Sequence, residues 1–192
     1  MSKLLVIKSS ILGEHSQSNQ LINHAIEGRN DVTVRDLATD PIPVLNAKAL
    51  TAIGGGEDLS DELQDILDLS NNLVEELKQA DTVLIGAPMY NFMVPTQLKN
   101  WFDIMARAGV TFSYTEQGPK GLIENKKVVV VTTRGGSYQG TDKEHVTGYL
   151  KTVLWFFGLT DVEFVYSESL AMGEEVAQAS REKARAELIA KL

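Results

Sequence analysis

The chain has 192 residues and a mass of 21.1 kDa, which at about 150 residues per domain is one domain, expected to span 1–192. Its 43% hydrophobic content supplies a packed core and excludes a disordered chain. The 18 basic against 26 acidic side chains leave a net charge of −8, which argues against nucleic acid and anionic membranes as partners, and the lack of cysteine removes disulfides, thiolate metal sites and a Cys nucleophile.

The elements follow in chain order. Leu4 to Ile7 is a continuous apolar run, as in a strand covered on both faces. It is too short for a signal-peptide core and ends at Lys8, so no targeting segment is expected and the location is expected to be cytoplasmic. Leu21, Ile22, Ala25 and Ile26 form one helical face, with Gly28 as its stop. Val32 to Asp36 alternates, as an edge strand does. A long connection, Thr39 to Leu59, holds two prolines and three successive glycines. A second helix opens at Ser60, with Asp61 and Glu62 in its first turn, and carries Leu63, Ile66, Leu67, Leu73, Val74 and Leu77 on one face.

Thr82 to Gly86 reads as a buried strand. Leu98, Trp101, Phe102 and Met105 then recur at helical spacing after Pro95. A second long connection, Thr111 to Asn125, precedes the strand Val128 to Val131. The next helix carries Val146, Tyr149, Leu150, Val153, Leu154 and Phe157, and Thr141 and Glu144 stand before it at capping-box spacing. Val162 to Tyr166 is the last strand, and Glu174 to Leu192 a charged terminal helix. Five strands alternating with five helices predict a doubly wound α/β fold: a parallel sheet in the order 2-1-3-4-5 with helices on both faces.

In such sheets ligands sit beyond the carboxyl ends of the strands. After strand one, Ser9, Ser10, Ser16 and Ser18 lead into a helix N-terminus, a setting for a phosphate monoester; the alternative is that Ser16 or Ser18 merely caps the helix. After strand three, Gly86-Ala87-Pro88-Met89-Tyr90-Asn91-Phe92-Met93 offers flat apolar surface beside backbone amides, as a planar heterocycle requires, unless Tyr90 and Phe92 pack inward. After strand four, Thr133-Arg134-Gly135-Gly136 allows close backbone approach, and Arg134 either meets developing negative charge or pairs with an acidic neighbour. No G-x-G-x-x-G, P-loop or G-x-S-x-G motif occurs, the acidic residues of a receiver domain are missing, and His15, His24 and His145 are too scattered for a metal.

Taken together, Lys8-Ser9-Ser10 with Ser16-Gln17-Ser18-Asn19, Ala87-Pro88-Met89-Tyr90-Asn91-Phe92 and Thr133-Arg134-Gly135-Gly136 resemble the bacterial FMN-dependent NADH-azoreductases, also called FMN-dependent NADH:quinone oxidoreductases. Thr96-Gln97-Leu98-Lys99-Asn100 and Arg107 to Phe112 share in the resemblance, which covers essentially the whole chain. It implies a flavodoxin-like fold, one FMN per chain, NADH as donor, quinones and azo compounds as acceptors, and a homodimer. Carried over by residue, Ser10, Ser16, Gln17 and Ser18 would hold the FMN phosphate, Met89, Tyr90, Asn91 and Phe92 would line the ring, and Thr133, Arg134, Gly135 and Gly136 would meet its other edge. Phe92, Tyr114 and Phe156 match the family's aromatic positions at the open flavin face. No side-chain nucleophile or acid–base pair is implied. The chain departs from the family within Thr39 to Leu59 and Ser137 to Asp142, which leaves substrate choice open. Two rivals share the fold: an FMN electron carrier without small-substrate turnover, and an NAD(P)H-dependent FMN reductase that releases its flavin.

Overall fold

The computed structural model describes residues 3–56 and 58–192. Five strands, β1 (Leu4–Lys8), β2 (Val32–Asp36), β3 (Thr82–Gly86), β6 (Lys127–Thr133) and β7 (Asp161–Ser167), form one parallel sheet in the order β2-β1-β3-β6-β7. This is the expected order, with β6 and β7 as the fourth and fifth strands of the sheet. The register sets Lys8 opposite Gly86 and Gly86 opposite Val131, so the carboxyl ends of the three central strands lie level.

Strand side chains alternate between faces, and here both faces are buried, which is why the strands read as unbroken apolar runs. Leu5, Ile7, Val83, Ile85, Val128 and Val130 pack with α3 (Asp61–Gln79), α4 (Thr96–Met105) and α5 (Val146–Phe157). Leu4, Val6, Leu84, Val129, Val131 and Val165 pack with α1 (Gln17–Ala25) and α6 (Glu174–Lys191). Each fully buried Leu, Ile or Phe stabilises by about 1.5–3 kcal/mol relative to exposure. Among the described residues no helix is long and apolar enough to cross a membrane.

Both long connections contain structure. The first holds α2 (Ala47–Ile53), whose N-terminal amide at Ala49 donates to the Asn46 side chain at 2.9 Å. The second holds an antiparallel hairpin, β4 (Phe112–Thr115) and β5 (Gly118–Gly121), outside the main sheet. Its return strand lies directly on the end of α5: Ile123 N–H donates to Phe157 O at 2.9 Å, and a Cβ on Gly121 would stand 1.9 Å from the Gly158 nitrogen. The capping box at α5 does not form. The Thr141 hydroxyl donates to Tyr138 O, and it is the Glu144 carboxylate that accepts from Thr147 N–H at 3.1 Å. Ser60 stands at the N-cap of α3 without a side-chain cap bond, and α1 ends at Ala25, before Gly28.

Candidate functional site

The segment after β1 is drawn into the protein by its hydroxyls. The Ser9 hydroxyl donates to Gly86 O at 2.6 Å, tying the ends of β1 and β3, and the Ser10 hydroxyl meets the Tyr90 phenol at 2.7 Å. A 3-10 turn (Gly13–His15) then leads to Ser16, the N-cap of α1. Ser16 Oγ accepts from Asn19 N–H at 3.1 Å and contacts Ser18 Oγ at 3.1 Å. Ser16 therefore does cap its helix, but four serines are buried here, and one cap accounts for one of them. Ser16 also takes the Gln20 amide through its carbonyl, which leaves the Gln17 and Ser18 amides for an acceptor beyond the helix end. Gln17 Oε1 and Asn19 Oδ1 are buried with no partner among the described residues. Both are acceptor oxygens, which a donor such as water completes; an anion at this helix end is served by the free amides and the hydroxyls.

After β3 the chain is held across the strand ends by Ala87 N–H to Val131 O at 2.9 Å and Met89 N–H to Thr133 O at 3.0 Å. Tyr90 and Met93 then exchange two backbone hydrogen bonds around Asn91 and Phe92, whose φ values are +49° and +68°. Two central residues with positive φ make a type I′ turn. Phenylalanine in that region is strained, at a cost on the order of 1–3 kcal/mol, and such strain clusters at ligand sites. The turn leaves Phe92 46% exposed, its ring edge-on to Tyr138 at 5.5 Å.

After β6, the Arg134 guanidinium is wholly buried. It donates to Glu168 at 3.0 Å and to Glu144 at 2.8 Å, and lies 5.1 Å from the centre of the Tyr166 ring. Of the two roles the sequence left open for this side chain, the acidic pairing is the one seen. Only its backbone and that of Gly135 reach the neighbouring cleft. Glu168 also accepts from Tyr138 N–H and Gln139 N–H at 2.9 Å each, so a single buried ion cluster fixes the whole turn.

The three segments enclose a cleft of about 210 Å³ lined by Ser10, Leu12, Ser16, Gln17, Pro88, Met89, Tyr90, Thr133, Arg134, Gly135, Leu170 and Ala171. Met89 and Tyr90 also border a second hollow of about 530 Å³, lined further by Ile11, Asn91, Val94, Pro95, Thr96 and Gln97. The two form one trough along the carboxyl edge of the sheet. Ser18, Phe92 and Gly136 line neither hollow; Ser18 Oγ stands 3.1 Å from Ser16 Oγ, and Phe92 and Gly136 directly follow the lining residues Asn91 and Gly135. Leu12 and Pro88 lie in the loops singled out from the sequence but had no role assigned to them; Leu170 and Ala171 were not anticipated, and their place after β7, at the same sheet edge, was the available signal. Tyr114 and Phe156 line neither hollow. They gather instead on Phe112, with ring centroids at 5.5 and 4.2 Å, and Tyr114 is 75% exposed. A larger hollow of about 670 Å³ lies between the hairpin and the end of α5, but its polar lining, Glu116, Gln117 and Lys120, is solvent-facing. Tyr149, whose phenol is pushed up to about 12 by burial and by the Asp103 charge, lies on α5 and lines none of these hollows.

The strand order and the edge trough define a flavodoxin-like protein, and residues 2–192 match the family model described as flavodoxin-like fold. An FMN-dependent NADH:quinone oxidoreductase of Vibrio parahaemolyticus is 55% identical over 190 residues, 98% of each chain. An azoreductase from Bacillus anthracis superposes with a TM-score of 0.85 at 29% identity, covering 99% of this chain and all of that one. An FMN-dependent NADH-azoreductase from the same species, solved in complex with FMN, gives 0.84 at 27% identity over 98% of both. The chain belongs to the flavodoxin-like family, in its branch of FMN-dependent NADH:quinone oxidoreductases.

Proposed function

We propose that this chain is an FMN-dependent NADH:quinone oxidoreductase that also reduces azo compounds, with one FMN held by one domain spanning 1–192. The observation that carries the reading is the meeting, on one sheet edge, of a helix N-terminus rich in buried hydroxyls and free amides with a strained aromatic turn. The residues fit the cofactor. A phosphate monoester finds the free Gln17 and Ser18 amides, the Ser10, Ser16 and Ser18 hydroxyls and the positive end of the α1 dipole. A flat ring system finds Met89, Tyr90, Asn91 and Phe92 on one side and the backbone of Thr133 to Gly136 on the other.

The chemistry supplied by bound FMN is the carriage of two electrons from a reduced nicotinamide to a quinone or azo acceptor. This chain's own residues bind, orient and exclude water. Ser16, Gln17 and Ser18 anchor the charged end, the turn at Asn91 and Phe92 presents backbone amides and one aromatic face, and the Arg134 cluster holds the turn at Gly135 rigid. No acid–base pair from the chain is required. Donor and acceptor take turns at the same open face, so steady-state NADH oxidation at several quinone concentrations gives parallel double-reciprocal lines. Intersecting lines would contradict a shared face, absence of turnover would favour the electron carrier, and flavin lost on dialysis the FMN reductase.

The working unit in this reading is a homodimer. Tyr114 and Phe156 lie outside the trough of their own chain and Tyr114 faces solvent, so a partner copy is the source from which they reach an open flavin face. A two-fold axis then makes two equivalent sites. Light scattering at assay concentration should give a dimer; full activity per flavin in a monomeric sample would refute it. The protein works in the cytoplasm, where reduced nicotinamides are supplied.

A further inference from the structure

Tyr138 has no part in the reading given so far, yet it bridges two of the three loops. A Cβ built on Gly136 would stand 2.9–3.0 Å from the Tyr138 ring and 3.0 Å from its hydroxyl oxygen, so the phenol end lies directly over Gly136. The same ring meets the edge of Phe92 at 5.5 Å with the planes 77° apart. The residue is held there by its backbone: its amide and that of Gln139 both donate to Glu168 Oε1, which the buried Arg134 holds in turn. The ring is half-buried, and its hydroxyl makes no hydrogen bond among the described residues. A partly buried phenol ordinarily finds a partner for its hydroxyl.

The position of the pair argues for which ligand supplies that partner. Neither Phe92 nor Tyr138 lines the inner cleft bounded by Ser10, Ser16, Met89 and Gly135. Both adjoin residues that do line the hollows: Phe92 follows Asn91, and the Tyr138 ring lies over Gly136, next to Gly135. A group seated in the cleft and against the near side of Phe92 leaves the far side of this pair to the molecule that arrives after it. That molecule, in a quinone reductase, is planar and carries carbonyl oxygens.

We propose that Tyr138 is an acceptor-recognition residue: its ring and Phe92 form an aromatic wall at the mouth of the cleft, and its hydroxyl donates a hydrogen bond to a carbonyl oxygen of the quinone. The assignment rests on the FMN-dependent quinone reductase reading. It requires no proton transfer from the phenol. The hydroxyl orients and polarises the carbonyl; the two electrons and one proton of quinone reduction come from the NADH hydride by way of the cofactor, and the second proton comes from solvent.

The test uses the holoprotein and two variants. Reduced enzyme is reoxidised in stopped flow by 1,4-benzoquinone and, separately, by ferricyanide, which accepts electrons without a carbonyl contact. Tyr138→Phe keeps the ring and its packing on Phe92, and should lower the benzoquinone rate constant relative to ferricyanide by about fivefold to tenfold, the effect of one lost hydrogen bond. Tyr138→Ala removes the wall, and should shift the preference between 1,4-benzoquinone and its bulkier tetramethyl derivative towards the latter. Titration of the apoproteins with FMN should give the same dissociation constant for wild type and Tyr138→Phe, within about twofold. An unchanged benzoquinone-to-ferricyanide ratio in Tyr138→Phe overturns the proposal. So does a loss of FMN affinity with that ratio unchanged, which gives the hydroxyl to the cofactor instead. A wild-type protein that holds no flavin, or whose flavin NADH does not bleach, removes the underlying reading and this assignment with it.

Discussion

The two ends of the main sheet are built from the same five strands and differ in how their polar groups are settled. At the amino end Asp81 accepts from the Lys3 amide at 2.8 Å, Arg29 grips Asp31 through two bonds at 2.7 and 3.0 Å, and Glu163 lies between Lys127 and Lys191. A hollow of about 370 Å³ opens there, larger than the inner cleft at the other end, yet its acidic side chains, Asp31 and Glu76, already have arginine partners. At the carboxyl end buried serines crowd a helix terminus, Gln17 Oε1, Asn19 Oδ1 and Thr132 Oγ1 have no partner among the described residues, and Asn91 and Phe92 sit at positive φ. The buried serines at the α1 terminus, with its free amides, and a phenylalanine held at positive φ choose the end where a ligand completes the structure.

The contrast breaks most visibly at the helix terminus. Ser16→Ala with Ser18→Ala removes two hydrogen bonds to a charged group, each contributing about 1.5–3 kcal/mol, so FMN should bind about a hundredfold more weakly or worse. Riboflavin, which lacks the phosphate, should change little. The variant should also lose about 1 kcal/mol of stability, because Ser16 is the helix cap. Equal losses for FMN and riboflavin in calorimetric titrations would show that this end does not read phosphate.

Arg134→Met tests stability rather than contact. It strands the Glu144 and Glu168 carboxylates, and should destabilise by about 3–5 kcal/mol in denaturant unfolding. A near-neutral result would mean the cluster does not hold the turn. Gly135→Val sharpens the same point from the other side. Its Cβ would meet only Ala171 Cβ, at 3.4 Å, so the fold should tolerate it. Gly135 lines the cleft, however, so the valine should weaken FMN by about tenfold at nearly unchanged melting temperature. A mutant that holds FMN normally makes this turn purely structural.

The smallest effect belongs to the amino end. Hydrogen bonds from Lys191 and then Lys127 hold the Glu163 carboxyl below its ordinary value, and Arg29 does the same for Asp31. A carboxylate whose pKa is lowered by folding contributes stability above its unfolded value, about 4, and loses it as pH falls through the folded one. Melting temperature should therefore decline below about pH 4, and Glu163→Gln should flatten part of that decline without touching flavin binding. An acid limb identical to wild type would remove the ion trio from the account.

The strands were legible because burial on both faces leaves only apolar residues to write them with, and the three loops because their chemistry lies on short, continuous stretches. The α2 helix was not. It has seven residues, and its buried face, Ala49, Ala52 and Ile53, is too small-sided to stand out between prolines and glycines. The β4–β5 hairpin was hidden for a different reason: Gly118-Pro119-Lys120-Gly121 is poor strand sequence, held in place by docking against Gly158. The partners of Arg134 lie 10 and 34 residues away, a distance at which local pattern carries no information. Leu170 and Ala171 reach the cleft only because β7 ends beside β6.

The account stands most directly on an anaerobic titration of the purified protein followed by its visible spectrum. The protein should carry about one FMN per chain, about one equivalent of NADH should bleach it, and about one equivalent of 1,4-benzoquinone should restore the yellow absorbance in full. A protein that purifies and reconstitutes without flavin, or a bound flavin that NADH leaves oxidised, would contradict it.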